Sequence, residues 1–220
     1  MEHKGIDPGS EKTRLRYDRL APLYDWLEGP MEAAAMDLWR RHLWRRVSQW
    51  LQTLPGGAAS TPLLEAGVGT GRNFPHHPAG AHIVGVDFSP EMLARARARA
   101  HLSRSELRLE LMDVEDLRHP ADFFAGAVAT FVFCSVAHPR RGLEELRRVV
   151  RRGGRLFLLE HIRPPGRMAG RIADLLNPLA RSLIGDNINR RTLDTVEQSG
   201  WRIIERTPLW HSIVYFVEAE

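Results

Sequence analysis

Leu63-Leu64-Glu65-Ala66-Gly67-Val68-Gly69-Thr70-Gly71 runs an apolar segment straight into three glycines at every second position. The apolar part reads as a strand. The turn after it needs backbone that bends sharply and lets a ligand come close, which glycine supplies. Outward from this point, short apolar runs alternate with helical patterns, as in a parallel sheet covered by helices. Strands are predicted at Leu63–Ala66, His82–Asp87, Leu107–Asp113, Ala127–Cys134 and Arg155–His161. Two more, Trp201–Thr207 and Ser212–Ala219, are separated by a short turn and should pair as an antiparallel hairpin at one sheet edge.

The helices carry their own signals. Ser89 is a capping residue with Pro90 at the first helical position, and Met92, Leu93, Ala96 and Ala100 form an apolar stripe. A short amphipathic helix over Gly142–Val150 turns Leu143, Leu146 and Val150 inward and is expected to end at Arg152-Gly153-Gly154, where glycine takes the left-handed conformation. Asn189–Ser199 is a further helix, stopped at Gly200. The stretch Pro55–Pro62 reads as a linker. The expected organisation is therefore a helical arm or lid over residues 1–54, the linker 55–62, and the main domain over 63–220.

A nucleotide site is indicated where Asp87 ends the second strand, because a carboxylate there accepts hydrogen bonds from ribose hydroxyls. Nicotinamide dinucleotides compete for such a turn, but their fingerprint is Gly-x-Gly-x-x-Gly. Counted from Gly67 it requires glycine where Arg72 stands; counted from Gly69, Phe74 occupies the third position. Charge separates the two further. Glu65, Asp87 and Asp113 all fall at the ends of predicted strands around one crevice. They would repel a pyrophosphate, whereas they suit S-adenosylmethionine, with its sulfonium and ammonium.

Glu65–Gly71, the segment Val84-Gly85-Val86-Asp87-Phe88-Ser89-Pro90-Glu91-Met92 and Leu111-Met112-Asp113 together resemble the successive cofactor motifs of class I S-adenosylmethionine-dependent methyltransferases. Arg148–Arg155 resembles the helix–turn before that family's fifth strand. The resemblance implies a Rossmann-like α/β sheet of seven strands, with S-adenosyl-L-methionine as cofactor. It implies that Glu65, Gly67, Gly69 and Gly71 contact the methionine part, that Asp87 holds the ribose, and that Met112 and Asp113 flank the adenine. Tyr17, Phe88, Met92, Val114 and Phe133 complete the expected cofactor contacts.

Flanking segments resemble a narrower group. Tyr17-Asp18 and Ala21-Pro22-Leu23-Tyr24-Asp25 are similar to the N-terminal segment of ubiquinone/menaquinone-biosynthesis methyltransferases and of bacterial phospholipid N-methyltransferases. Phe133-Cys134-Ser135-Val136 and Leu159-Glu160-His161 are similar to thiol S-methyltransferase-like proteins. Asn187–Thr192 and Gly200-Trp201 occur in similar form in the quinone and thiol enzymes. The group implies a lipophilic acceptor, first a phospholipid head-group amine of the phosphatidylethanolamine type, alternatively a quinone or a small thiol. A cofactor-binding protein without catalysis is the reading from a different class.

The arm points toward lipid as well. Met36, Trp39, Leu43, Val47, Trp50 and Leu54 form one helical stripe, with Arg41 and Arg45 opposite and Arg40 and Arg46 flanking it. Such a face suits either an interfacial membrane helix or a lid packed on the domain's core. Ile172–Ile184 offers a second apolar segment. Methyl transfer from a sulfonium needs a general base only when the acceptor arrives protonated. Candidates are His161 and Glu160 after the fifth strand, His138 after the fourth, and Tyr24 in the lid.

Composition removes other classes. The single Cys134 cannot form an internal disulfide and argues against a cysteine-rich metal site. The formal charge of +4 rests on basic residues that are all arginine except Lys4 and Lys12. No basic stripe is interleaved with stacking aromatics, so nucleic acid is not an expected partner. No metal is expected. The polar start and the lack of a spanning apolar run predict a cytoplasmic protein, with peripheral contact to the inner face of the membrane as an extension.

Overall fold

The computed structural model describes residues 9–19, 35–59, 61–164, 166, 168, 170–171, 173–175, 177, 187, 189–210 and 212–220. Helices α1 (residues 9–19) and α2 (Asp37–Gln52) precede strands β1 (Leu63–Ala66) and β2 (His82–Asp87). Then come α3 (Pro90–Arg99), β3 (Glu106–Leu111), β4 (Phe124–Thr130), α4 (Pro139–Val149), β5 (Val150–His161), α5 (Thr192–Gln198), β6 (Ile203–Trp210) and β7 (Val214–Ala219). The seven strands form one sheet in the order β3-β2-β1-β4-β5-β7-β6. β7 inserts antiparallel between β5 and β6, and the other described pairings from β3 to β5 are parallel. This is the expected seven-stranded Rossmann-like architecture with its antiparallel edge hairpin.

Central strands are buried on both faces and so read as unbroken apolar runs; all seven residues of β4 are buried. Edge strands β3 and β6 alternate instead, and β6 accommodates Pro208 because an edge position need not donate to a neighbour. Successive side chains feed opposite faces. Leu64, Ala127 and Leu156 pack with Leu143 and Leu146 of α4 and Val196 of α5. Leu63, Val128 and Phe157 pack on the other face with Leu43, Trp44, Val47, Trp50 and Leu51 of α2.

The stripe of α2 is spent on the sheet: Trp44 is 1% exposed and Trp50 6%. The Trp50 ring lies over Gly126 of β4, where an added Cβ would sit 2.9 Å from Trp50 Cη2 and 2.6 Å from the Arg155 carbonyl oxygen. The four arginines also part company. Arg40 is buried and Arg46 pairs with Glu205 and Glu218, leaving Arg41 and Arg45 exposed. Among the described residues no helix is long and apolar enough to cross a membrane.

Bounds differ from expectation by one to three residues at each end of β3 and β6 and at the start of β7, and three further differences have a local cause. β4 ends at Thr130, not Cys134. Phe131 takes a left-handed φ of 56° and leaves the sheet, while Val132, Phe133 and Cys134 stay apolar because the following turn is itself buried. α4 ends at Val149 and β5 begins at once, so Gly153 and Gly154 lie inside a strand. They do not cap a helix: the pairing of β4 with β5 shifts register between Phe124 and Gly126, and a Cβ at Gly154 would meet the Ala125 carbonyl oxygen at 2.2 Å. α5 starts at Thr192, later than expected, and Gly200 follows it with φ 84°. Of Ile172–Ile184, Leu175 is exposed, whereas Leu176, Leu179 and Leu183 lie outside the described residues.

Candidate cofactor and active site

The C-terminal ends of β3, β2, β1 and β4 open onto one crevice with about 880 Å³ of empty space, counting the part open to solvent. The position is where open α/β sheets bind ligands. β1 delivers the chain into Gly67, whose φ is 66° and whose added Cβ would lie 2.5 Å from Val132 Cγ2. The N–H groups of Gly67 and Val68 both donate to the Val86 carbonyl, at 2.8 and 3.1 Å, which ties the turn to β2.

Asp87 ends β2 and is buried. Its Oδ2 accepts from Gly69 N–H at 2.8 Å, and its Oδ1 from Ser89 N–H at 3.0 Å. Burial outweighs these bonds and lifts the carboxyl to about 6. Ser89 also caps α3, accepting from Met92 N–H at 3.1 Å, so cap and carboxylate stabilise one corner. Beyond β3, burial raises the Asp113 carboxyl while the Glu115 N–H and the Ser10 hydroxyl pull it back. Glu115, also raised by burial, accepts the His138 N–H at 2.8 Å.

The crevice wall brings together Tyr17, Gly67, Gly69, Asp87, Phe88, Met92, Met112, Asp113 and Val114 from the expected cofactor set. Tyr17 reaches it from α1 and meets the Phe88 ring edge-on at 6.2 Å. Glu65, Gly71 and Phe133 stand behind the wall. Glu65 is fully buried, with Oε1 accepting from Asn73 Nδ2 at 2.7 Å and Oε2 bonded to His77 Nε2 at 3.0 Å. Gly71, with φ 84°, faces the Phe74 ring. Phe133 is fully buried beneath Gly142.

The candidate bases are dispersed. Glu160 Oε1 accepts both the Val132 and Phe133 N–H groups at 2.8 Å, so this carboxylate shapes the turn after β4. His138 starts α4 and reaches the crevice residue Glu115 through its backbone N–H. His161 lies behind Phe131, which lines the crevice, with ring centroids 4.7 Å apart. Burial drops its imidazole to about 4, and its buried Nδ1 finds no hydrogen-bond partner among the described residues. Tyr24 lies outside the described residues. Cys134 is buried, its thiol donating to the Phe131 carbonyl at 3.3 Å.

Several wall residues escaped the sequence reading: Ser10 and Thr13 of α1, Arg40 of α2, Asn73, Glu115, and Thr130 with Phe131. Thr130 was within reach, since strand C-termini line such crevices, but the apolar turn hid where β4 stops. Among the described residues no group of three His, Cys, Asp or Glu side chains is placed to hold a metal ion.

A buried carboxylate for a diol, apolar walls for a base and glycines for close approach fit adenosine carrying a cationic tail. The methyltransferase domain model matches residues 64–158. The chain belongs to the class I S-adenosylmethionine-dependent methyltransferase family, enzymes that take S-adenosyl-L-methionine as cofactor. Within it, the chain is 37% identical over 125 residues to thiol S-methyltransferase TMT1B of Homo sapiens, covering 55% of this chain and 51% of that protein. It is 33% identical over 151 residues to phosphatidylethanolamine N-methyltransferase of Cereibacter sphaeroides, covering 67% and 73%. It is 34% identical over 152 residues to demethylmenaquinone methyltransferase of Thermus thermophilus, covering 68% and 66%. The chain thus spans about half the length of the human thiol enzyme. The fold is shared with a solved methyltransferase of Aquifex aeolicus, with a TM-score of 0.58 at 16% identity, over 80% of this chain and 88% of that one.

Proposed function

We propose that this protein methylates a lipophilic acceptor, first of all a phospholipid head-group amine of the phosphatidylethanolamine type. The observation that carries this reading is the match to the phosphatidylethanolamine enzyme, which alone of the three relatives above extends over more than two thirds of that relative's length. Exposed Met168 and Leu175, each 79% accessible after β5, support an apolar approach. A small-thiol acceptor is the second reading, favoured by the higher identity to the thiol enzyme over the shared core.

S-adenosylmethionine, when bound, supplies an activated methyl group on sulfonium. The chain's own task is then to hold both partners in line and keep water out. Asp87 holds the ribose, Met112–Val114 the base, and Ser10, Thr13 and Tyr17 of α1 cover them from above. A head-group amine attacks only in its unprotonated form, so the ammonium proton must leave before transfer, and the methylated nitrogen then carries the positive charge that the sulfonium gave up. In this reading neutral His161 receives that proton, and because burial holds its imidazole at about 4 it passes the proton on and does not keep it. The Arg41 and Arg45 heads, left exposed by the packing of α2, add attraction to anionic lipid that salt weakens.

Two outcomes are expected. With phosphatidylethanolamine in anionic vesicles, the protein should turn over S-adenosylmethionine faster than with quinol or small-thiol acceptors, and Arg41→Ala with Arg45→Ala should release it from the vesicles at low salt. Efficient thiol methylation with indifference to vesicles would select the second reading. His161→Ala should lower the transfer rate by roughly 10²-fold, within the usual span for a lost acid–base group, while leaving S-adenosylhomocysteine affinity unchanged. A variant as fast as the parent would remove His161 from the proton path.

A further inference from the structure

Nine large apolar side chains stand exposed among the described residues, and they gather at one end of the molecule. Single exposed apolar residues are ordinary on a protein surface, so their distribution carries the information. Leu102 after α3, Phe123 before β4 and Ile204 near the start of β6 lie at the end of the sheet away from the crevice. The other six lie at the crevice end. Leu15 of α1 stands between the wall residues Thr13 and Tyr17, Leu38 lies in the first turn of α2 shortly before the wall residue Arg40, and Leu111 ends β3. Met168 and Leu175 follow β5. Trp210, 49% exposed, ends β6, which runs the same way as β5 because β7 is antiparallel to both. His161, Val214 and Trp210 thus fall in one row across the three strands.

Part of this end is built as a face. The described residues from 168 to 177 are helical, and Met168, Arg171 and Leu175 recur at spacings of three and four on one outward side. Gly170 and Ala173 turn the other way and are buried, Gly170 against the Arg163 guanidinium. That guanidinium also holds the stretch in place through Asp174, with Nε donating to Oδ1 at 3.1 Å and Nη2 to Oδ2 at 2.7 Å. Asn189 Nδ2 donates to the same carboxylate at 3.2 Å. On β6, Arg206, Pro208 and Trp210 alternate onto one exposed side. The acidic side chains of these segments are matched: Asp174 by Arg163, Asp194 by Arg191 and Glu205 by Arg46. Arg171 and Arg206 therefore give the exposed apolar side chains a positive border.

We propose that the crevice end of the molecule is the surface that lies on an anionic membrane, with Met168, Leu175 and Trp210 entering the bilayer interface. The inference rests on the lipid reading above and adds the face that meets the bilayer. Tryptophan suits the interface, where one side of the ring is apolar and the other wet. Arginine lays its stem along apolar surface and keeps its head among lipid phosphates. Docked end-on, the molecule opens its crevice toward the head groups. An acceptor amine then enters while its acyl chains stay in the bilayer, out of water. A second copy of the chain would cover the same apolar side chains, but a twofold contact would set Arg171 and Arg206 against their own kind. The border charge therefore selects the anionic surface.

The test is co-sedimentation with vesicles of phosphatidylglycerol and phosphatidylcholine, which offer negative charge and no amine to methylate. The parent is compared with a crevice-end variant, Met168→Ser with Leu175→Ser and Trp210→Ser, and with a far-end variant, Leu102→Ser with Phe123→Ser. The crevice-end variant should lose at least about tenfold in partitioning, since three apolar side chains no longer enter the interface. The far-end variant should sediment like the parent, and salt should weaken the parent's binding. All three should bind S-adenosylhomocysteine alike in calorimetry, which shows that they are folded; none of the five side chains lines the crevice. If the crevice-end variant does not fold, Arg171→Glu with Arg206→Glu carries the test, through lost sedimentation at low salt. A parent that stays in solution, equal losses in both variants, or a crevice-end variant that sediments like the parent would overturn the proposal. So would a parent dimer that ignores vesicles and is broken by the crevice-end changes, which would make the face a contact between copies. Methylation of short-chain phosphatidylethanolamine dispersed in water is scored apart: failure there overturns the acceptor reading, whereas the vesicle results decide the docking face.

Discussion

Asp87→Ala is expected to weaken S-adenosylhomocysteine binding by roughly 1.5–3 kcal/mol, the range for losing hydrogen bonds to a charged group. The carboxylate organises the corner of the site as well as facing it, because it also receives Gly69 and Ser89 N–H groups. The pH dependence follows with a definite sign. In the free protein this carboxyl stands at about 6. Ribose hydroxyls donating to it favour the ionised form and pull it lower in the complex. Affinity should therefore be full above about pH 6 and fall by up to about tenfold per pH unit below it. Asp18, whose charge adds to the upward pull, and the raised Asp113 and Glu115 contribute to the same profile. Asp87→Asn should flatten it to what those groups leave. Titrations from pH 5 to 8 check both points, and parent-like binding by Asp87→Ala would show that the ribose is held elsewhere.

The second large effect concerns folding. Trp50→Ala should cost roughly 3–5 kcal/mol of stability, since it deletes a buried indole and leaves a cavity against β4 and β5. Trp50 lies 5.5 Å from the Phe157 ring and directly over Gly126, where no side chain can fill the gap. For a chain of 220 residues this lowers Tm by on the order of 6–20 °C. Thermal unfolding followed by circular dichroism reads it. A change within about 1 °C would mean that α2 is not part of the core and would restore it as a detachable arm or membrane face.

The two cases show what a single sequence discloses. β1 and β2 matched their expected bounds because a local event ends each: a glycine turn after Ala66 and a capped helix after Asp87. The edge hairpin was legible from the short turn between its strands. β4 was drawn too long because burial, not extension, keeps Val132–Cys134 apolar, and periodicity reports burial alone. The amphipathic stripe of α2 was legible too, yet the pattern is the same whether a sheet or a lipid surface covers it. The site divides in a similar way. Residues that touch the crevice at strand ends, such as Asp87 and Asp113, follow from topology. Arg40 and Asn73 do not, because their positions depend on the angle at which α2 crosses the sheet and on a hydrogen-bond chain reaching from His77 to Arg40. Glu65 illustrates the converse: its place in the motif was plain, but its carboxylate is turned away from the crevice toward Asn73 and His77.

The most direct test of the account is titration of the purified protein with S-adenosylmethionine, S-adenosylhomocysteine and NAD in parallel. The crevice described here predicts saturable binding of the first two in competition with each other, and none of NAD, whose pyrophosphate would meet Asp87 and Asp113. Saturable NAD binding with no response to S-adenosylmethionine would contradict it.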